Sequence, residues 1–144
     1  GDSQTGKKVL PHVIEPAVGI NRIFLMVLSD AYVEEQDRVV LKLSPKLAPI
    51  KAAIFPLLAN REELMVKARE VYNDLRQTLY VSFDSRGNIG KRYLAQDEIG
   101  TPFCITIDFE SLENDTVTVR DRDTMEQQRM EVSSLRRYLL DQVT

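Results

Sequence analysis

The strongest constraint on the fold is the alternation of short apolar runs with segments of helical period, which begins after the first third of the chain. Residues 50–55 are apolar and are followed by Pro56, as expected for an interior strand. Residues 79–83 and 101–109 show two further strand patterns. Strands joined by helical crossovers can pair in parallel, so the alternation predicts an α/β layer domain.

Two segments between those strands have helical character. Residues 60–75 keep apolar side chains at helical spacing, and Asn60 with Glu63 has the form of a capping box. This spacing predicts a helix of about 16 residues. A shorter helix is expected from Asn88, and Gly100 is a good residue to end it.

The end of the chain predicts an antiparallel pair and a closing helix. Residues 116–120 and 125–132 are strand patterns, and residues 121–124 form a hairpin-like connection between them. A helical pattern follows Ser133 or Ser134 as N-cap. The expected architecture is therefore a mixed sheet of about five strands flanked by helices.

The first third of the chain has a different organisation. Residues 9–14 form an apolar run interrupted by Pro11, and residues 20–32 place apolar side chains on one helical face. We predict a strand, a turn and a helix with an acidic end at residues 34–37. A short strand is expected at residues 38–43.

Composition narrows the class of protein. Hydrophobic content of 43% and charged content of 28% are ordinary for a soluble globular domain. No apolar run approaches the ~20 residues of a membrane-spanning helix and no signal-peptide pattern opens the chain, so the cytoplasm is the expected location. The net charge of −3 argues against bulk electrostatic coating of nucleic acid, although local basic faces remain open. A single cysteine, Cys104, and a single histidine, His12, offer no disulfide and no Cys/His metal site, so Cys104 is expected in the core.

Three segments are candidate sites on residue chemistry alone. Residues 19–22 open a helix with a glycine and an arginine, which could hold a phosphate or form only a turn. Residues 86–98 combine arginine, tyrosine and carboxylates, which suits single-stranded bases but equally suits a solvated helix face. Residues 117–124 place two arginines at a strand end, either for phosphate or guanine or for surface ion pairs. No P-loop, G-x-S-x-G or H-E-x-x-H motif is present.

Five segments of the chain form a recognisable set of motifs. They are PHVIEP at 11–16, GINR at 19–22, IGKRY at 89–93, QDEIGTPF at 96–103 and VRDRDTM at 119–125. Together, and over nearly the whole chain in the same order, they resemble the C-terminal part of bacterial or archaeal-type glycyl-tRNA synthetase. The resemblance implies a class II enzyme, typically a homodimer, which activates glycine with ATP and Mg and transfers it to tRNA.

The resemblance divides the chain into two parts. Residues 1–45 would be a strand–helix remnant of the catalytic domain with the third class II signature, and residues 46–144 the anticodon-binding domain. Pro45 and Pro49 support this boundary, because each biases the preceding residue away from helix. In the family, the glutamate of the glycine-site segment faces the substrate amino group and the signature arginine meets the ATP phosphates. The implied glycine-binding residues are Glu15, Pro16, Ala17, Val18 and Gly19, and the implied ATP-binding residues are Gly19, Ile20, Asn21 and Arg22.

Some family members carry serine where this chain has Ala17, so a hydroxyl contact from this position to glycine is not implied.

The anticodon loop of glycine tRNA is the partner that the resemblance implies for the second part of the chain. The candidate anticodon contacts are Arg86, Arg92, Asp97, Glu98, Arg120, Arg122 and Asp123.

The resemblance also limits what this chain can do alone. The first two class II signatures are absent, so we expect no complete catalytic site, no bound cofactor or metal and no aminoacylation by the fragment. The helix of residues 20–32, without its native cover, is expected to pack on the anticodon-binding domain, pair with another copy or be poorly ordered. The alternative function is a synthetase-like accessory or protein-interaction subunit without ligase activity, against which the retained Glu15 and Arg22 argue.

Overall fold

The computed structural model describes residues 4–8, 10 and 12–143. None of the helices in this described part has the length and apolar character needed to cross a bilayer. The same part of the chain forms five helices and seven strands. In order they are α1 (Ile20–Ala31), β1 (Tyr32–Glu34), β2 (Val39–Leu41), β3 (Ala52–Pro56), α2 (Glu62–Leu75), β4 (Val81–Phe83), α3 (Ile89–Ile99), β5 (Phe103–Ile107), α4 (Phe109–Asn114), β6 (Thr116–Asp121), β7 (Gln127–Glu131) and α5 (Val132–Val143).

Five strands form one mixed sheet in the order β4-β3-β5-β6-β7. The strands β4, β3 and β5 are parallel, with α2 and α3 as their crossovers, whereas β6 and β7 are antiparallel to their neighbours. The predicted mixed sheet of about five strands flanked by helices is therefore confirmed.

The core lies mainly on one face of the sheet. Alternate strand residues such as Ile54, Ile105 and Val117 pack there against apolar residues of α2 and α5, including Leu64 and Leu139. The opposite face carries a smaller cluster in which Ala53, Phe55 and Cys104 pack against Ile89 and Tyr93 of α3. Cys104 is buried as predicted, and burial raises the pKa of its thiol to about 12.

The N-terminal segments form a second, smaller unit of structure. The strands β1 and β2 pair as an antiparallel hairpin in which Val33 lies opposite Val40. The last turn of α1 packs on this hairpin, and Ala31 is buried together with Leu43 and Ala48. The first two turns of α1 expose large apolar side chains, so only one end of the helix is covered. The covered end of α1 contacts mostly residues 41–48, which straddle the predicted boundary at residues 45 and 46, so the choice among the three expected outcomes stays a prediction.

Two N-terminal predictions differ from the structure. In the predicted strand of residues 9–14, Val9 and Pro11 lie outside the described residues, and the others are not in a strand. Within the described residues, no strand lies alongside this segment to satisfy its backbone groups. The predicted acidic helix end at residues 34–37 is also wrong, because Tyr32 already has extended backbone angles and begins β1. Aromatic and β-branched residues favour this pairing over another helical turn.

Two further differences concern helix starts. The capping box at Asn60 is wrong, since α2 begins at Glu62 with Arg61 as an N-cap that makes no side-chain hydrogen bond. The predicted strand to residue 109 ends at Ile107, and the unpredicted helix α4 follows. Its start is a true capping box in which Asp108 and Ser111 exchange hydrogen bonds.

Candidate nucleic-acid interface

Helix α3 organises the polar groups on the less covered face of the sheet. It begins at Asn88, whose side chain accepts a hydrogen bond from the Lys91 amide at 2.9 Å, and it ends at Gly100 with φ of 82°. Both ends were predicted from these two residues. Because α3 is the crossover from β4 to β5, its first turn lies at the carboxyl ends of the parallel strands. Its last turn lies at the amino end of β5, about 16 Å away.

At the first turn of α3, Arg92 holds the surrounding loops together. Its buried guanidinium donates to the carbonyl oxygens of Pro56 at 2.5 Å, Arg86 at 3.1 Å and Gly87 at 3.0 Å. Burial lowers the pKa of Arg92 from its usual value. These bonds fix the loop after β3 and the loop after β4 relative to each other.

The loop after β4 carries exposed cationic groups beside Arg92. The Arg86 side chain is 91% exposed and forms an ion pair with Asp84 at 3.1 Å, and the hydrogen bond from Arg86 lowers the pKa of Asp84. A shallow pocket of about 290 Å³ is lined by the loop and the first turns of α3. Its lining residues are Asp84, Arg86, Gly87, Lys91, Arg92 and Ala95.

The strands β6 and β7 expose a polar face on the other side of α3 from the loop after β4. Thr118 lies opposite Arg129 in the strand register, and both side chains are on the face that α3 leaves open. Arg129 donates to Asp108 at 2.5 and 3.3 Å and to the Thr116 hydroxyl at 3.0 Å. Although burial raises the pKa of Asp108, hydrogen bonds from Arg129 and Ser111 bring it below its usual value. The Arg129 side chain is thus held in place while 29% of it stays exposed.

Hydroxyl groups continue this face toward α3. The Tyr93 hydroxyl and the Thr106 hydroxyl are 2.6 Å apart, and Thr106 lies opposite Thr118 in the register. The guanidinium of Arg120 lies over the Tyr93 ring, 4.9 Å from its centroid. The carboxyl end of the sheet therefore carries two exposed features: the loop pocket around Arg86, and the polar side chains of β6 and β7 around Arg129.

At the other end of α3, a buried ionic network occupies several predicted site residues. Asp97 accepts two hydrogen bonds from Arg120, at 2.9 and 3.1 Å, and one from Arg38 at 2.9 Å. Arg122 donates to the carbonyl oxygens of Gly100 and Leu43, both at 2.8 Å. These guanidinium and carboxylate groups are therefore occupied by hydrogen bonds within the chain.

The seven predicted anticodon contacts are therefore divided between the two ends of α3. Arg86 and Arg92 lie at the first turn, and the other five lie at or beyond the last turn. The exposed members are Arg86, Glu98 and Asp123, whereas the buried members are Arg92, Asp97, Arg120 and Arg122.

Sequence reasoning missed the open face of β6 and β7. Its main residues are Thr118, Gln127 and Arg129. The polar run at residues 127–131, in which Met130 is the one apolar side chain, was an available signal for an exposed strand. The role of Asp108 had no comparable signal, since its partner Arg129 is 21 residues away.

The implied glycine and ATP residues lie in an exposed segment. Residues 12–19 have no regular secondary structure, and Gly19 is the N-cap of α1, where its carbonyl accepts the Arg22 amide at 3.0 Å. Glu15 and Arg22 are both exposed. Within the described ranges, no group of three His, Cys, Asp or Glu residues could hold a metal ion.

Comparisons with known proteins agree on one family. Residues 51–142 match the anticodon binding domain family. The chain is 53% identical over 142 residues to a glycine–tRNA ligase of Bacillus cereus, covering 96% of this chain and 30% of that protein. It is 49% identical over 147 residues to the ligase of Cutibacterium acnes, covering 96% and 31%. It is 46% identical over 151 residues to that of Thermobifida fusca, covering 99% and 32%. The chain thus spans about a third of the length of these relatives.

Proposed function

This chain belongs to the anticodon binding domain family, and from that premise we propose that it binds the anticodon loop of a glycine tRNA. The observation that carries the proposal is the polar character of the carboxyl end of the sheet, where Thr118 and Arg129 lie on β6 and β7 and the Arg86 pocket lies in the loop after β4. In open α/β sheets, ligands bind outside the carboxyl ends of the strands.

The chemistry of this face suits unpaired bases. Guanidinium and amide groups, as in Arg129 and Gln127, can pair with base edges, and hydroxyls such as Thr118 can donate or accept. Single-stranded loops present these edges because their bases are unstacked. Arg86 is placed to meet the phosphate backbone at the rim of the same surface.

The buried arginines serve the interface by positioning it. Arg92 sets the loop that carries Arg86, and Arg120 supports the Tyr93 ring from below the polar face. Asp97 and Arg122 act further away, at the last turn of α3. Of the candidates taken from the sequence, Arg86 is our direct contact, and Glu98 and Asp123 are accessible for contacts at the far end of the helix.

We assign the parent protein the ligation of glycine to tRNA with ATP and Mg. The support is the name of the relatives and the segment at residues 15–22, which carries Glu15 toward the glycine amino group and Arg22 toward the ATP phosphates. The parent acts as a cytoplasmic homodimer, as the sequence resemblance implies. This chain alone lacks the first two class II signatures and does not aminoacylate.

We place the boundary between the catalytic remnant and the anticodon-binding domain at residues 45 and 46. The family match that begins at residue 51 supports this boundary. An accessory subunit without ligase activity is not favoured, because the relatives cited above are all glycine–tRNA ligases.

The proposal is tested by binding of a glycine-tRNA anticodon stem-loop to two matched arginine variants. Arg129→Ala removes a guanidinium from the proposed interface, and Arg137→Ala removes an exposed one from α5 on the other face. We expect Arg129→Ala to weaken binding about tenfold or more, since a base-contacting arginine contributes ~1–3 kcal/mol.

Arg137→Ala should change the affinity little, because its charge is remote from the loop. Fluorescence anisotropy with a labelled stem-loop at fixed salt measures both values. Equal weakening by the two variants would show that only bulk charge matters, and this would contradict the proposed interface.

A further inference from the structure

The carboxylate of Asp97 is completely buried and is shared by two arginines from different parts of the chain. Arg120, 23 residues away on β6, binds both of its oxygens. Arg38, 59 residues away in the loop of the β1–β2 hairpin, binds one of them at 2.9 Å. Asp97 therefore joins the hairpin, α3 and the sheet at one point.

The network around Asp97 continues through Arg38 into the hairpin loop. Arg38 also donates to Glu35 at 2.7 Å and to the backbone carbonyl of Arg122 at 2.8 Å. Three guanidinium groups meet three carboxylates, so each buried charge has a partner of opposite sign. The six side chains are Arg38, Arg120, Arg122, Glu35, Asp97 and Asp123.

A close backbone contact near Asp97 also packs the β1–β2 hairpin against the end of α3. A Cβ atom at Gly100 would lie 2.9 Å from the carbonyl oxygen of Leu41 and 3.0 Å from the side chain of Leu43. The end of α3 and strand β2 thus approach each other as closely as a glycine permits. This packing is independent of the ionic contacts.

The hairpin in turn holds the end of α1. Tyr32 follows α1 directly, and the Lys42 amide donates to the Ala31 carbonyl at 2.6 Å. Any group that fixes the hairpin on the sheet therefore also fixes the direction in which α1 leaves it.

We propose that Asp97 is a positioning residue that, through Arg38, fixes the orientation of α1 relative to the five-stranded sheet. Resting on the proposed function, this orientation sets the spacing between the ATP-binding segment at Arg22 and the anticodon face. The two ends of α3 then have separate tasks: the first turn shapes the RNA surface, and the last turn holds the segment that leads to the catalytic residues.

The test is the distance distribution between spin labels on α1 and α2. Ser29→Cys and Asn73→Cys provide exposed labelling sites, whereas the buried Cys104 is inaccessible to the reagent. Double electron–electron resonance should give a single narrow distance in the otherwise unchanged chain. Both Arg38→Ala and Asp97→Asn should lose that narrow distance and give a broad distribution.

Arg86→Ala is the matched control, because it removes an arginine from an exposed ion pair and should leave the distance narrow. A narrow distribution in Asp97→Asn would show that Glu35 and the Arg122 carbonyl suffice to hold Arg38, and would overturn the proposal. Amide hydrogen exchange in β3 and β5 is measured in parallel. Loss of protection there in Arg38→Ala would mean that the network maintains the core, which also contradicts a positioning role.

Binding of the anticodon stem-loop separates this proposal from the proposed function. Arg38 lies away from the open face, so Arg38→Ala should bind the stem-loop within about twofold of the unchanged chain, a difference of less than half a kcal/mol. If the unchanged chain fails to bind the stem-loop, the proposed function is wrong while the distance measurements still decide the role of Asp97.

Discussion

At the scale of single residues, Glu35 shows how an exposed loop carboxylate can be tied to the fold. The hydrogen bond from Arg38, followed by that from Lys42, lowers the pKa of Glu35 from its usual 4.5 to about 2. Because the folded-state pKa is the lower one, the contribution of Glu35 to stability is present above about pH 4.5. It is lost as the pH falls from there toward 2.

We therefore expect the Glu35 side chain to titrate near pH 2 in the folded chain. Carbon-detected NMR of the carboxyl group measures this midpoint directly. In Arg38→Ala the midpoint should rise toward 4.5, because the strongest hydrogen bond is gone. A midpoint near 4.5 in the unchanged chain would show that the ion pair is not formed in solution.

The burial of charged residues was the hardest feature to predict from the sequence. Helical spacing places Arg92, Gln96 and Asp97 on one side of α3, but polar residues in this pattern predict a solvated face. Arg92 donates to the Pro56 carbonyl and Asp97 accepts from Arg120, and these partners, distant in the sequence, are not visible in a local pattern. Cys104 was predictable, since a lone cysteine in an apolar strand needs no partner.

At the scale of elements, local sequence signals were sufficient where cap residues and apolar runs mark the bounds of helices and strands. Asn88 and Gly100 marked both ends of α3, and the apolar runs marked the parallel strands. Prediction failed where a tertiary contact decided the outcome. Tyr32 leaves helix α1 because β2 is available as a partner, and residues 12–14 lack such a partner within the described part of the chain.

The end of α3 gives a matched pair of glycine variants. Gly100 and Gly87 both have positive φ, at 82° and 64°, but a Cβ at Gly87 would meet open space. Gly87→Ala should lower the free energy of unfolding by only ~1–2 kcal/mol, which is the energy needed to place an alanine in the left-handed backbone conformation. Gly100→Ala should cost about 3 kcal/mol or more, because the added Cβ also collides with the Leu41 carbonyl.

Urea unfolding followed by far-UV circular dichroism measures both differences. If the two variants are equally destabilised, the close approach of α3 to β2 is absent in solution. The comparison therefore tests the seating of the hairpin without changing any charge.

At the scale of the whole molecule, the fold and the family were readable from the sequence, whereas the open face of β6 and β7 was not. Alternating strands and helices predicted the mixed sheet, and motif order indicated the synthetase resemblance. The open face depends on how far α3 extends across the sheet. Arg129 and Thr118 become neighbours only through strand pairing, which no local sequence pattern shows. The sequence therefore pointed to Arg120 and Arg122, which lie close together in the chain.

At the same scale, the net charge of the chain bears on the RNA binding that we propose. With a net charge of −3, the domain has no overall attraction for a polyanion. Several of its arginines are bound internally to carboxylates, and the exposed arginines are spread over several elements, with Arg86 and Arg129 at the carboxyl end of the sheet. In our proposal, RNA binding depends on a few defined contacts at that end of the sheet.

Chemical-shift mapping with the glycine-tRNA anticodon stem-loop tests this account most directly. Titration of the RNA into the isotope-labelled chain should shift the amides of residues 84–91, 116–118 and 127–131, and should leave those of α5 and the β1–β2 hairpin unchanged. Shifts centred on α2 and α5, with the amides around Arg129 unmoved, would contradict the placement of the RNA on the open face.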